Sequence, residues 1–71
     1  MGMEARSKIR PPSSAQRRLL FAAAMHKLGR IVGGDPRTRA KLLQLGWSEV
    51  DGYDYGPLFR ITDAGRSALS L

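Results

Sequence analysis

The side chains best placed by type and spacing to do chemistry are Arg37, Lys41 and Gln44. They fall at i, i+4 and i+7, so a helix through them carries two cations and an amide along one ridge. Arginine and glutamine make paired hydrogen bonds to guanine and adenine edges respectively, while lysine more often meets phosphate. Thr38 and Arg39, in the same segment, add candidate backbone contacts. The plainer reading of such a ridge is the solvated side of an amphipathic helix. A second group, Tyr53, Asp54 and Tyr55 with Asp51 nearby, mixes aromatic rings with carboxylates. Like charge repels a phosphate backbone, so this group suits contact with another protein, although at least one of the two tyrosines is expected to cover the core. Arg6, Lys8 and Arg10 form a third group, which either follows a phosphate backbone or minor groove or is simply a solvated tail.

Catalytic chemistry finds no support. No nucleophile stands beside a base, and no carboxylates pair in a plausible pocket. Gly33-Gly34 is not followed by the Gly-Lys-Ser/Thr of a phosphate-binding loop. One His and no Cys are too few for a zinc site, and His26 is expected to be an exposed polar residue. The reading is a non-enzyme that needs no metal or cofactor.

Charge points to a polyanion. The chain of 71 residues carries 12 Lys+Arg against 6 Asp+Glu, a formal net +6. Residues 1–41 hold ten basic groups, Arg17 and Arg18 among them, and only Glu4 and Asp35 as acids, a net +8; residues 42–71 carry −2. Such asymmetry suggests a nucleic-acid partner on one side of the molecule, with Arg17 and Arg18 as further candidate contacts. The length allows one domain, and a chain this short buries only about 60% of the surface it exposes when unfolded. No apolar run approaches the roughly 20 residues needed to cross a bilayer, and the basic N-terminus lacks the apolar stretch of a secretory signal. A cytoplasmic protein with no membrane partner is expected.

The elements that must position these groups follow from caps and periods. Residues 1–12 show no apolar period and read as a flexible basic arm, leaving a domain over residues 13–71. Ser13 and Gln16 match a capping box, and the helix they start is expected to reach about Leu28, with Gly29 as a left-handed stop. Leu20, Phe21, Ala24 and Leu28 make its expected core stripe, with Leu19 and Ala23 on another side. Asp35 and Pro36 suit the cap and first position of a second helix, from Pro36 to Leu45, stopped by Gly46. Arg30-Ile31-Val32 reads as a very short strand. Trp47–Val50 and Leu58–Ile61 read as two strands around a loop from Asp51 to Pro57, with Trp47 as the main core aromatic. Thr62 caps a final helix, Asp63 sits in its first turn, and Ala68, Leu69 and Leu71 return it to the core.

The run Leu42-Leu43-Gln44-Leu45-Gly46-Trp47, then Leu58-Phe59-Arg60-Ile61-Thr62-Asp63-Ala64-Gly65-Arg66, resembles the C-terminal half of winged-helix domains of the multiple-antibiotic-resistance regulator type. The resemblance covers about residues 36–70. It implies a small α+β, winged-helix-like domain of about three helices with a two-stranded β-hairpin wing. It also implies close packing of the Gly65 helix start on the wing strand, and a ridge of Arg37, Lys41 and Gln44 facing the major groove. A full winged helix places two helices between its first strand and the wing. Here residues 31–46 leave room for one, so the support helix is either reduced to a turn around Ile31–Asp35 or the fold is only similar.

The expected function is that of a small DNA- or RNA-binding regulator of transcription, of phage or bacterial origin. Homodimers are expected to raise its affinity through Leu19, Ala23, Leu69 and Leu71. The alternative is a phage-encoded inhibitor of the anti-CRISPR or anti-restriction type. Such a protein would bind a nucleic-acid-processing complex through Tyr53, Asp54 and Tyr55.

Overall fold

A computed structural model of the chain describes residues 10–71, so Arg6, Lys8 and most of the expected arm lie outside the described residues. The elements are α1 (Ser14–Met25), α2 (Pro36–Gln44), β1 (Ser48–Tyr53), β2 (Pro57–Ile61) and α3 (Asp63–Ala68). Three helices with a two-stranded antiparallel hairpin make a small α+β domain, a layout compatible with a winged helix. None of these helices is long and apolar enough to cross a membrane.

The start of α1 is set by its capping box. Ser13 Oγ accepts the Gln16 amide at 3.2 Å, and Gln16 Oε1 accepts the Ser13 amide at 2.9 Å. Its phase and end both differ from the sequence expectation. The helix buries Leu19, Leu20 and Ala23, whereas Phe21 and Leu28 are more than half exposed. Residues 19–25 are all apolar, so no stripe is marked within the helix, and packing against Leu42, Ile61 and Ala68 selects the face. Leu19 and Ala23 therefore belong to the core and are not available to a second subunit. The helix ends at Met25 because His26 turns extended (φ −76°, ψ 138°). Its Nδ1 accepts the amides of Leu28 at 3.0 Å and Arg30 at 3.4 Å. Gly29 does take a positive φ, but in the turn beyond the helix.

Between α1 and α2 there is no second helix. The strand expected at Arg30–Val32 is a single antiparallel bridge between Arg30 and Arg60. Ile31 donates its N–H to the Phe59 carbonyl (2.9 Å), and Ile61 donates to that of Gly29 (2.8 Å), so β2 lies between this segment and β1. Asp35 then caps α2, accepting the Thr38 amide at 3.2 Å, with Pro36 in the first turn.

The hairpin pairs Ser48 with Ile61, Glu49 with Arg60 and Val50 with Phe59, then slips at a bulge before Tyr53 pairs with Pro57. Gly52, at φ +102°, supplies the backbone turn that this bulge needs. The strands thus run further than expected, and the loop shrinks to Asp54–Gly56. Leu20 and Leu42 are fully buried at the centre of the core, with Leu19, Ala23, Ile31, Trp47, Ile61 and Ala68 around them. Leu69 packs against this cluster, but Leu71 is 54% exposed and does not join it.

At the start of α3, Thr62 Oγ1 accepts the Gly65 amide at 3.0 Å. A Cβ on Gly65 would collide with the Trp47 carbonyl oxygen and come within 2.8 Å of Ile61 Cγ1. Replacing a helical glycine by alanine ordinarily gains up to about 1 kcal/mol. A clash with main-chain atoms outweighs that gain, so Gly65→Ala should lower stability by about 2–4 kcal/mol. Thermal unfolding followed by circular dichroism checks this: a fall in Tm of more than about 8 °C is expected, and a rise would disprove the close approach.

Candidate nucleic-acid interface

The face of α2 is fixed by Leu42, which is fully buried and points the helix inward. Arg37, Lys41 and Gln44, on the opposite side, are all exposed. Their neighbours in the candidate site are more occupied. The Thr38 hydroxyl donates to Asp35 Oδ2 at 3.0 Å and so reinforces the helix cap. Arg39 is half-buried, with its guanidinium 5.5 Å from the centre of the Phe59 ring, a cation–π contact that ties α2 to β2.

Arg10 joins the ridge from another part of the chain. It lines a groove with Pro11, Ser13, Gln16, Lys41, Leu45 and Trp47. The two cations stand over a floor that includes Trp47, which is 8% exposed and is the core aromatic expected. Arg17 and Arg18 are not brought to this surface. Both line a different groove with Phe21, Ala24 and Leu69. Arg17 has a structural task as well: its Nη1 donates to the Leu69 carbonyl at 2.9 Å and its Nη2 to that of Leu71 at 3.1 Å. Nothing in the sequence marks this contact, because it joins residues 52 positions apart.

Electrostatic partners divide the surface. Arg60 and Glu49 face each other across the hairpin and bond at 2.8 Å, and Arg30 lies 3.8 Å from Asp51. The hydrogen bond that Arg60 Nε donates to Glu49, helped by the charges of Glu49 and Asp51, raises the Arg60 pKa above its ordinary value. Asp35 caps α2, and Asp63 sits in the first turn of α3. Among the described residues, the acids other than Asp54 are therefore committed to caps, a helix start or hairpin pairs. None neutralises Arg37 or Lys41.

The wing tip has the opposite character. Tyr53 is 76% exposed and Tyr55 fully exposed, so neither tyrosine covers the core, contrary to expectation. Tyr55 also adopts φ +62°, a left-handed backbone rare for a bulky residue. His26, exposed as expected, serves as the acceptor that ends α1. Among the described residues, no group of three His, Asp or Glu side chains could hold a metal ion.

The two arginines of α1 separate structural from surface roles. Arg17→Ala removes two charge-assisted hydrogen bonds at a partly exposed site and should cost about 1 kcal/mol. Arg18→Ala should stay within about 0.5 kcal/mol of the wild type. Chemical denaturation of both variants checks this, and equal midpoints would remove the structural role of Arg17.

Comparison with family models, with curated proteins and with solved structures finds no match to this chain.

Proposed function

We propose that this chain is a small nucleic-acid-binding protein, acting on DNA as a regulator of transcription, with the outer face of α2 as its contact surface. One observation carries the reading: Arg37 and Lys41 stand exposed on one ridge with Gln44, while the acids among the described residues are spent elsewhere or held at the hairpin tip. An uncompensated cationic ridge releases counterions when it meets phosphate, and that release supplies most non-specific affinity. Gln44 and Arg37 add the side-chain types that read base edges. Arg10, on the same groove as Lys41, adds a third cation to this contact. The acidic wing tip takes no part in this reading, because it would repel the second strand's phosphates.

A second reading is favoured by the exposure of Tyr53 and Tyr55 around Asp54. Two uncovered tyrosines beside a carboxylate suit a basic protein surface, as in an inhibitor that docks on a nucleic-acid-processing complex.

Paired substitutions separate the two. Arg37→Ala with Lys41→Ala should leave folding within about 0.5 kcal/mol and reduce duplex affinity about tenfold or more. The slope of log K against log salt should become shallower by nearly one unit per lost phosphate contact. Tyr53→Ala with Asp54→Ala should bind the duplex as well as the wild type or slightly better. Fluorescence anisotropy on a labelled random duplex at several salt concentrations measures all of this. A folded ridge variant with wild-type affinity and salt slope would refute the assignment, and absence of binding by the wild type at low salt would refute the function.

A further inference from the structure

The burial of Leu19, Leu20 and Ala23 leaves α1 with a second apolar face that nothing in the described residues covers. Phe21 is 59% exposed and Met25, one turn later on the same side, 72%. Beside them runs the groove lined by Ser14, Arg17, Arg18, Phe21, Ala24 and Leu69. Large apolar side chains gathered along a groove mark an interaction surface, whereas scattered single ones do not.

The charge around this face selects its occupant. The cations lining this groove are Arg17 and Arg18, and from Ser13 to Gly34 the chain carries no acid at all. Arg18 is exposed, and Arg17, held by the Leu69 and Leu71 carbonyls, keeps its charge at the groove wall. A second copy would set cations against cations. A nucleic acid would find one phenyl ring among aliphatic neighbours, without the row of aromatics that bases stack on. A partner helix with an apolar stripe flanked by carboxylates matches both the floor and the rim.

We propose that the outer face of α1 docks an acidic amphipathic helix of a partner protein, through Phe21 and Met25 at the centre and Arg18 at the edge. This surface is separate from the α2 ridge, and its occupancy does not depend on whether that ridge binds DNA.

The probe is a synthetic peptide with Leu at i, i+3, i+4 and i+7 and Glu on the flanking positions. It is titrated into the full ¹⁵N-labelled chain beside a scrambled peptide of the same composition. The expected result is amide shift changes centred on Arg18, Phe21, Met25 and Leu69, with the scrambled peptide at least about tenfold weaker. Phe21→Ser with Met25→Ser should abolish the changes while duplex binding persists. Arg18→Glu, a single exposed substitution, should weaken the acidic peptide about tenfold even if the double variant fails to fold. Absence of shifts on α1, equal binding by the scrambled peptide, or an unaltered Arg18→Glu titration would each overturn the proposal. So would sedimentation showing a wild-type dimer that Phe21→Ser dissolves, since the face would then belong to a second copy.

Discussion

The hydroxyl of Thr62 stands where three elements meet, and it serves all of them. Oγ1 donates to the Gly46 carbonyl at 2.7 Å and accepts the Gly65 amide at 3.0 Å, while the Thr62 main-chain N–H donates to the Trp47 carbonyl at 3.0 Å. The exit of α2, the base of the hairpin and the first turn of α3 are thereby locked into one arrangement. Trp47 completes it by donating its own amide to the Leu42 carbonyl at 2.9 Å. The missing side chain of Gly65 is the condition for all of this, because the Trp47 carbonyl occupies the space a Cβ would need. The angle at which α2 leaves the hairpin, and hence the direction of Arg37, Lys41 and Gln44, follows from this junction.

Around it the molecule sorts its side chains into three surfaces of different chemistry. The ridge on α2 is cationic and polar, the outer face of α1 is apolar with a cationic rim, and the hairpin tip is acidic and aromatic. The hairpin body between them is electrically balanced by Glu49–Arg60 and Arg30–Asp51. Between α1 and α2 the chain forms turns and one isolated bridge, with no further helix. Leu43 in α2 and Leu45 at its C-cap remain about 40% exposed.

Local chemistry was legible in the sequence and long-range packing was not. The capping box of Ser13 and Gln16, the Asp35-Pro36 start, the Gly46 stop and the Thr62 cap depend on residues within four positions, and each forms as its side chains dictate. The close approach at Gly65 was readable because strand, cap and glycine stand in one run. The phase of α1 was hidden by seven consecutive apolar residues, which mark no stripe of their own. Its early end was hidden because an imidazole, not a Ser, Asp or Gly, satisfies the amides beyond it. Of the candidate site, the exposed ridge at Arg37, Lys41 and Gln44 followed from helical spacing alone. The internal engagement of Thr38 and Arg39, and the removal of Arg17 and Arg18 to the far side of α1, required the tertiary structure.

The joining of Arg17 to Leu69 and Leu71 bears on how the chain reaches this structure. Leu19, Leu20 and Ala23 near one end share a single cluster with Ile61 and Ala68 near the other, so the core closes only when both ends are in place. Contacts of such sequence separation carry their loop-closure entropy before they return any burial. A fragment that stops in the hairpin would hold α1 and α2 without the residues that seal them together. Residues 14–69 should accordingly fold as one cooperative unit, with neither half stable by itself.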